Sequence, residues 1–248
     1  MRIAILLGFL VLTPAVVLAA ALSDEQKAEV ETIVRQLLTQ KDPDIVAKAI
    51  EALQAKREAE DQAKAAGMIK DRWKDIYEDA EAPVTGNPKG DVTVVEFFDY
   101  QCGFCKRAHE ETEKVLAEDK NLRYVYKQFP ILGPNSLLAA KAAVAAHKQG
   151  KFLPLHTAFM KHKLPLTEEE INKLAKDVGL DVDKLKQDME SEPVVAYVNK
   201  SRELAESLGG RGTPLFVIGD KTYPGAMGTD QIKEILAGIR ASATPKTP

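Results

Sequence analysis

The stretch "FFDYQCGFCKRAHE", Phe97 to Glu110, holds the only two cysteines of a 248-residue chain. Cys102 and Cys105 stand where an apolar run gives way to a charged, helix-like run. Three chemistries use such a pair. A structural disulfide here would close a very short loop, worth roughly 2 kcal/mol at most by chain entropy. A metal site could draw on Cys102, Cys105 and His109, but structural zinc wants four ligands and no fourth stands nearby; an exported dithiol can still capture soft Cu(I). On this reading His109 is otherwise an exposed polar residue. A redox couple needs one sulfur that ionises readily. The start of a helix supplies unpaired N–H groups and the positive end of the dipole, which favour a thiolate at Cys102. Cys105, one turn inward, then suits the resolving role.

The flanking elements fit that third chemistry. "DVTVVEFFDY" is a β-branched and aromatic run, predicting a buried strand from about Val92 to Phe98. The cysteines open a helix to about Glu118, and "NLRYVYKQF" is the next strand, so the segment reads as a βαβ unit with parallel strands. C-x-x-C placed between strand and helix of such a unit is a strong redox signal. A helical stretch follows from about Asn135 to Leu208, broken at Gly150, Pro165, Gly179 and Pro193. "GGRGTPLFVIGDKTYPG" then predicts a loop and a hairpin, and "GTDQIKEILAGIR" a last helix capped by Thr229 or Gly228. Pro214 opens its strand, where a missing N–H is tolerated, and X-Pro is the only common cis site. Glu96 lies mid-strand. Val94, Val95, Phe97 and Phe98 suggest that both faces are covered, which would raise its pKa.

Upstream, Met1-Arg2, an apolar run from Ile3 to Leu12 and the small-residue segment "TPAVVLAAALS" have the layout of a secretory signal, residues 1–21, cleaved near Ala19 to Ala21. An uncleaved anchor is the rival reading. Removal takes only Arg2 from the 34 basic residues and none of the 37 acidic ones, moving the net charge from −3 to −4. With no basic block, nucleic acid is not an expected partner. Export also places the cysteines where disulfides persist.

Residues 22–80 read as a helical segment and linker. Ser23 and Gln26 form a capping box, and Val30, Ile33, Val34, Leu37 and Leu38 recur at helical spacing. Within "KDPD", Asp42 can cap a second helix and Pro43 suits its first turn. Val46, Ala49, Ile50 and Leu53 make another stripe. Two short stripes cannot form a core alone, so they pack either on the following domain or on copies of themselves; the polar run from Gln54 to Lys64 favours the second, a stalk. "EAPVTGNPKG" is a Pro/Gly-rich lead-in to the domain at residues 83–243, and residues 244–248 are expected to be a loose tail.

"VVEFFDYQCGFC" together with "RGTPLF" resembles the thioredoxin superfamily, and the long helical insert (about 135–208) is similar to its DsbA-like periplasmic members. The resemblance implies an α/β thioredoxin fold with a helical insert, preceded here by a helical oligomerisation stalk. It implies a cis Thr213-Pro214 bond beside the cysteines and an extended client segment pairing alongside. It further implies that Glu96 moves protons for Cys105, and that a Cys102–Cys105 disulfide, rather than a cofactor, carries the electrons.

The two residues between the cysteines tune such a couple. Strongly oxidising members carry a histidine there; Gly103 and Phe104 bring no charge and predict a less oxidising pair. Gly-aromatic with threonine before proline resembles the isomerase members and the copper-tolerance ScsC group, where tyrosine is usual at the position of Phe104. "LLTQKDPDIVAKAIEALQAK" resembles the helical region that makes oligomeric members of that group trimers, here residues 22–65. The expected protein is a periplasmic disulfide isomerase/reductase, its partners exported cysteine-bearing clients and a membrane redox partner of the DsbD/ScsB type. A dithiol oxidase served by a DsbB-type partner, and a copper-binding or chaperone protein, are the alternatives.

Overall fold

The computed structural model describes residues 22–243; the expected signal, residues 1–21, and the tail, residues 244–248, lie outside them. The chain divides into two compact units between Lys56 and Arg57. In the first, α1 (Asp24–Gln36) begins at Ser23 with the reciprocal Ser23/Gln26 capping box. It runs into a π-helical turn, Leu37–Lys41. The next helix, α2, spans Ile45–Asp71. Asp42 does not cap it through its side chain: Oδ1 accepts from Lys48 Nζ at 2.9 Å instead, and Pro43 falls in the turn before the helix. No residue of α1 is buried.

Residues 57–80, which the sequence grouped with the N-terminal helical segment, pack within the second unit. Ala65 and Ile69 of α2, with Ile76 and Tyr77 of α3 (Trp73–Tyr77), are buried there. The lead-in at 81–90 holds a three-residue strand that the sequence did not announce, β1 (Val84–Gly86). It ends at Gly86, where φ is +75° and an added Cβ would stand 2.3 Å from the Leu122 carbonyl oxygen, so only glycine fits.

The sheet is completed by β2 (Val92–Phe98), β3 (Leu122–Gln128), β4 (Leu215–Ile218) and β5 (Lys221–Pro224), in the order β1-β3-β2-β4-β5. β2 and β3 are parallel, joined by α4 (Gly103–Glu118), while the outer pairings are antiparallel. The insert comprises α5 (Pro134–Lys148), α6 (Phe152–Lys161), α7 (Glu168–Asp177), α8 (Val182–Met189) and α9 (Glu192–Ser207). It breaks at Gly150, Pro165 and Gly179 as expected, whereas Pro193 sits inside the first turn of α9, where proline is tolerated. The last helix, α10, spans Thr229–Ala243.

Alternation along β2 and β3 sends residues to two cores. Val94, Phe98, Tyr124 and Tyr126 join Cys105, Ala108 and Val115 of α4 and much of the insert. Val95, Phe97 and Val125 join α3, the end of α2 and Leu204 and Ala205 of α9. On this second face Lys127, 1% exposed, donates from Nζ to the Asp75 carbonyl at 2.9 Å and pairs with Asp79. At the open margin of the sheet, the Gln62 side-chain amide donates to Thr222 O at 2.8 Å and accepts from Thr222 N at 3.3 Å.

Candidate active site

The two cysteines lie at the carboxyl end of β2, where the chain turns into α4. Asp99 organises the turn. Its Oδ1 accepts from Gln101 N at 2.8 Å, and its Oδ2 accepts from Ile131 N and Leu132 N at 2.8 and 3.0 Å. Its backbone carbonyl accepts from Cys102 N at 3.0 Å. Cys102 is therefore held at the N-cap of α4 with extended backbone, φ −79° and ψ 116°. A sulfur stands where a capping oxygen would.

Both cysteines are free thiols, and their environments oppose each other. Cys102 keeps 7% of its surface exposed; Cys105, one turn in, keeps none. Cys102 is lowered to about 5, first by a hydrogen bond from the Cys105 thiol. Partial burial opposes this, while the Thr213 side chain and the amides of Cys105 and Phe104 assist it. Cys105 is pushed well above an ordinary thiol, first by burial, then by its bond to Cys102 and the charge of Glu96. Such a pair offers one nucleophile at neutral pH and one thiol held in reserve.

Thr213–Pro214 is a cis peptide. When protonated, Cys102 Sγ donates to the Thr213 carbonyl at 3.2 Å. Gly103 and Phe104 form the exposed first turn of α4; Phe104 is 57% exposed, with the Arg107 guanidinium 4.4 Å from its ring centre. Glu96 lies behind the cysteines on β2, 2% exposed. Burial pushes its carboxyl up to about 7, although the Tyr124 hydroxyl, donating to Oε2 at 2.6 Å, opposes the shift. All seven residues singled out from the sequence thus fall on the turn, the facing loop or the strand behind.

Two neighbours were not anticipated, and a third sits differently from its expected place. Asp99 builds the turn, Tyr124 bonds Glu96, and His109 is only 4% exposed rather than solvent-facing. Its ring packs 5.0 Å from His156, which accepts from or donates to the Tyr100 hydroxyl at 3.0 Å. Cys105, Ala108, His109, Thr112 and Val115 form the buried stripe of α4, a helical spacing that could have revealed His109. Among the described residues no cluster of three or more His, Cys, Asp or Glu side chains is arranged to hold a metal.

Comparison with known proteins locates this arrangement. The DSBA-like thioredoxin domain family matches residues 93–237. A thioredoxin-like oxidoreductase from Silicibacter pomeroyi DSS-3 is 43% identical, with a TM-score of 0.67 over 68% of this chain and 98% of that one. Proteus mirabilis ScsC in a transitional conformation is 30% identical, with a TM-score of 0.66 over 90% of this chain and 100% of that one. Na(+)/H(+) antiporter NhaA 3 of Salinispora tropica is 26% identical over 162 residues. This chain spans about a quarter of that curated relative's length, and among its described residues no helix is long and apolar enough to cross a membrane. By the extent of the family match, the chain belongs to the DSBA-like thioredoxin domain family, a family of thiol:disulfide oxidoreductases.

Proposed function

We propose that this chain is a periplasmic disulfide isomerase/reductase working through the Cys102–Cys105 dithiol. The observation that carries the reading is the opposition between the two sulfurs, one lowered to about 5 and one held protonated. The Cys102 thiolate attacks a client disulfide, forming a mixed disulfide and expelling one client thiolate. In isomerisation, another client thiolate attacks that bond, forming a new client disulfide and restoring Cys102. In reduction, Cys105 gives its proton to Glu96 and attacks Cys102. The second client thiolate leaves, the client has gained two electrons, and the Cys102–Cys105 disulfide holds the oxidising equivalent. A membrane dithiol partner of the DsbD/ScsB type returns the two electrons. Thr213 and Pro214 flank the attacking sulfur and present backbone to an extended client.

The uncharged Gly103-Phe104 pair supports the isomerase direction. One observation favours the oxidase alternative: stabilising the Cys102 thiolate stabilises the reduced protein, which makes the couple more oxidising. Activity on scrambled RNase decides. The reduced full chain should restore ribonuclease activity, and Cys105→Ala should accumulate disulfide-linked clients; no restoration overturns the isomerase, and an absence of trapped clients leaves only metal capture.

The isomerase reading includes a homotrimer through residues 22–65. It is supported by the apolar stripes Val30, Ile33, Val34 and Leu38 and Val46, Ile50 and Leu53, all 40–53% exposed. Several active sites around one stalk would hold a client multivalently. Light-scattering mass should fall threefold to that of one chain when residues 22–56 are deleted; an unchanged mass removes the stalk.

A further inference from the structure

The carboxyl of Glu96 is asymmetric. Oε2 accepts from the Tyr124 hydroxyl at 2.6 Å, whereas Oε1 is buried and has no hydrogen-bond partner. The tyrosine oxygen in turn stands 3.4 Å from Thr112 Oγ1 on α4. A phenol has one hydrogen. Since Tyr124 gives it to Glu96, Thr112 must be the donor of the second bond. The order Thr112 to Tyr124 to Glu96 therefore has a direction. When the carboxyl binds a proton, Oε2 already accepts one, and the proton goes to Oε1.

Resting on the proton-transfer role proposed above, we propose that Tyr124 is the positioning residue of this site: by occupying Oε2 it leaves Oε1 as the single atom that exchanges the proton of Cys105. The groups within electrostatic reach of Glu96 are Tyr100, Tyr124, Tyr126, Cys102 and Cys105. Of these only Tyr124 bonds the carboxyl. Burial holds all three tyrosines protonated at neutral pH, so none competes for the proton. Removal of the hydroxyl withdraws the one bond that stabilises the carboxylate, and the base then forms only at higher pH.

Stopped-flow mixing of the reduced full chain with a fluorogenic peptide disulfide tests this. The first phase reads attack by Cys102 and the second reads resolution by Cys105, followed from pH 5 to 9. Tyr124→Phe should move the midpoint of the second phase up by about one pH unit, an about tenfold slowing below the midpoint that disappears near pH 9. Thr112→Val should shift it in the same direction by less, which keeps the test valid should Tyr124→Phe fail to fold. Tyr124→Phe added to Glu96→Gln should change nothing further. A midpoint that stays put in Tyr124→Phe while Glu96→Gln slows resolution overturns this inference alone, as does a slowing by one factor at every pH. Resolution in Glu96→Gln indistinguishable from the original chain overturns the role of Glu96, and this inference with it.

Discussion

Each face of the sheet buries a charged residue in mid-strand, and the two are finished differently. Lys127, facing α3 and α9, pairs with Asp79, donates to the Asp75 carbonyl and stands 5.7 Å from the centre of the Tyr197 ring. Glu96, facing α4, has one oxygen bonded and one bare. A buried charge with several partners is tolerated as structure, while one left half-satisfied keeps a cost that is usually found at working sites. The comparison separates a face that holds the molecule together from the face that carries the proposed chemistry.

The largest effect expected is on the structural face. Lys127→Ala leaves Asp79 without its buried partner and should lower unfolding free energy by about 3–5 kcal/mol in urea; a loss below about 1 kcal/mol would remove the distinction between the faces. Glu96→Gln should act in the opposite direction. The carboxyl titrates at about 7 folded against 4.5 ordinarily, so the native state holds the extra proton between those values. The contribution of this group to stability is then fully present below about pH 4.5 and is lost as pH rises through 7, by roughly 3 kcal/mol. Cys102, lowered to about 5, gives both chains the opposite slope, so the difference between them is read: in urea unfolding at pH 5 and pH 8, Glu96→Gln should gain on the original chain by roughly 3 kcal/mol as pH rises. The smallest effect belongs to Ser201→Ala, which removes a buried 2.7 Å donation to the Gln128 carbonyl and should cost about 1 kcal/mol with thiol exchange unaltered.

Much of this frame was legible in the sequence because its signals are local. The β-branched run over 92–98, the C-x-x-C helix start and the glycines at 150 and 179 each act on their own neighbours, and the elements lie where they were expected. β1 escaped notice because its three residues, Val84–Gly86, are too few to alternate. Tyr124 escaped because its meeting with Glu96 depends on register: β2 and β3 pair Val94 with Tyr124 and Glu96 with Tyr126, and nothing local to either strand encodes that offset. Asp99 lies just beyond the strand expected to stop at Phe98 and carried no signal of its own; its task became visible only when residues 131 and 132 arrived from the far side of β3.

Sheets that end in an unpaired strand tend to recruit strangers. In this fold the last strand meets one side chain whose carbonyl and amino groups have the span of a peptide unit, and Gln62 answers Thr222 on both counts. That amide acts as a one-residue stopper: it denies edgewise polymerisation a foothold on β5.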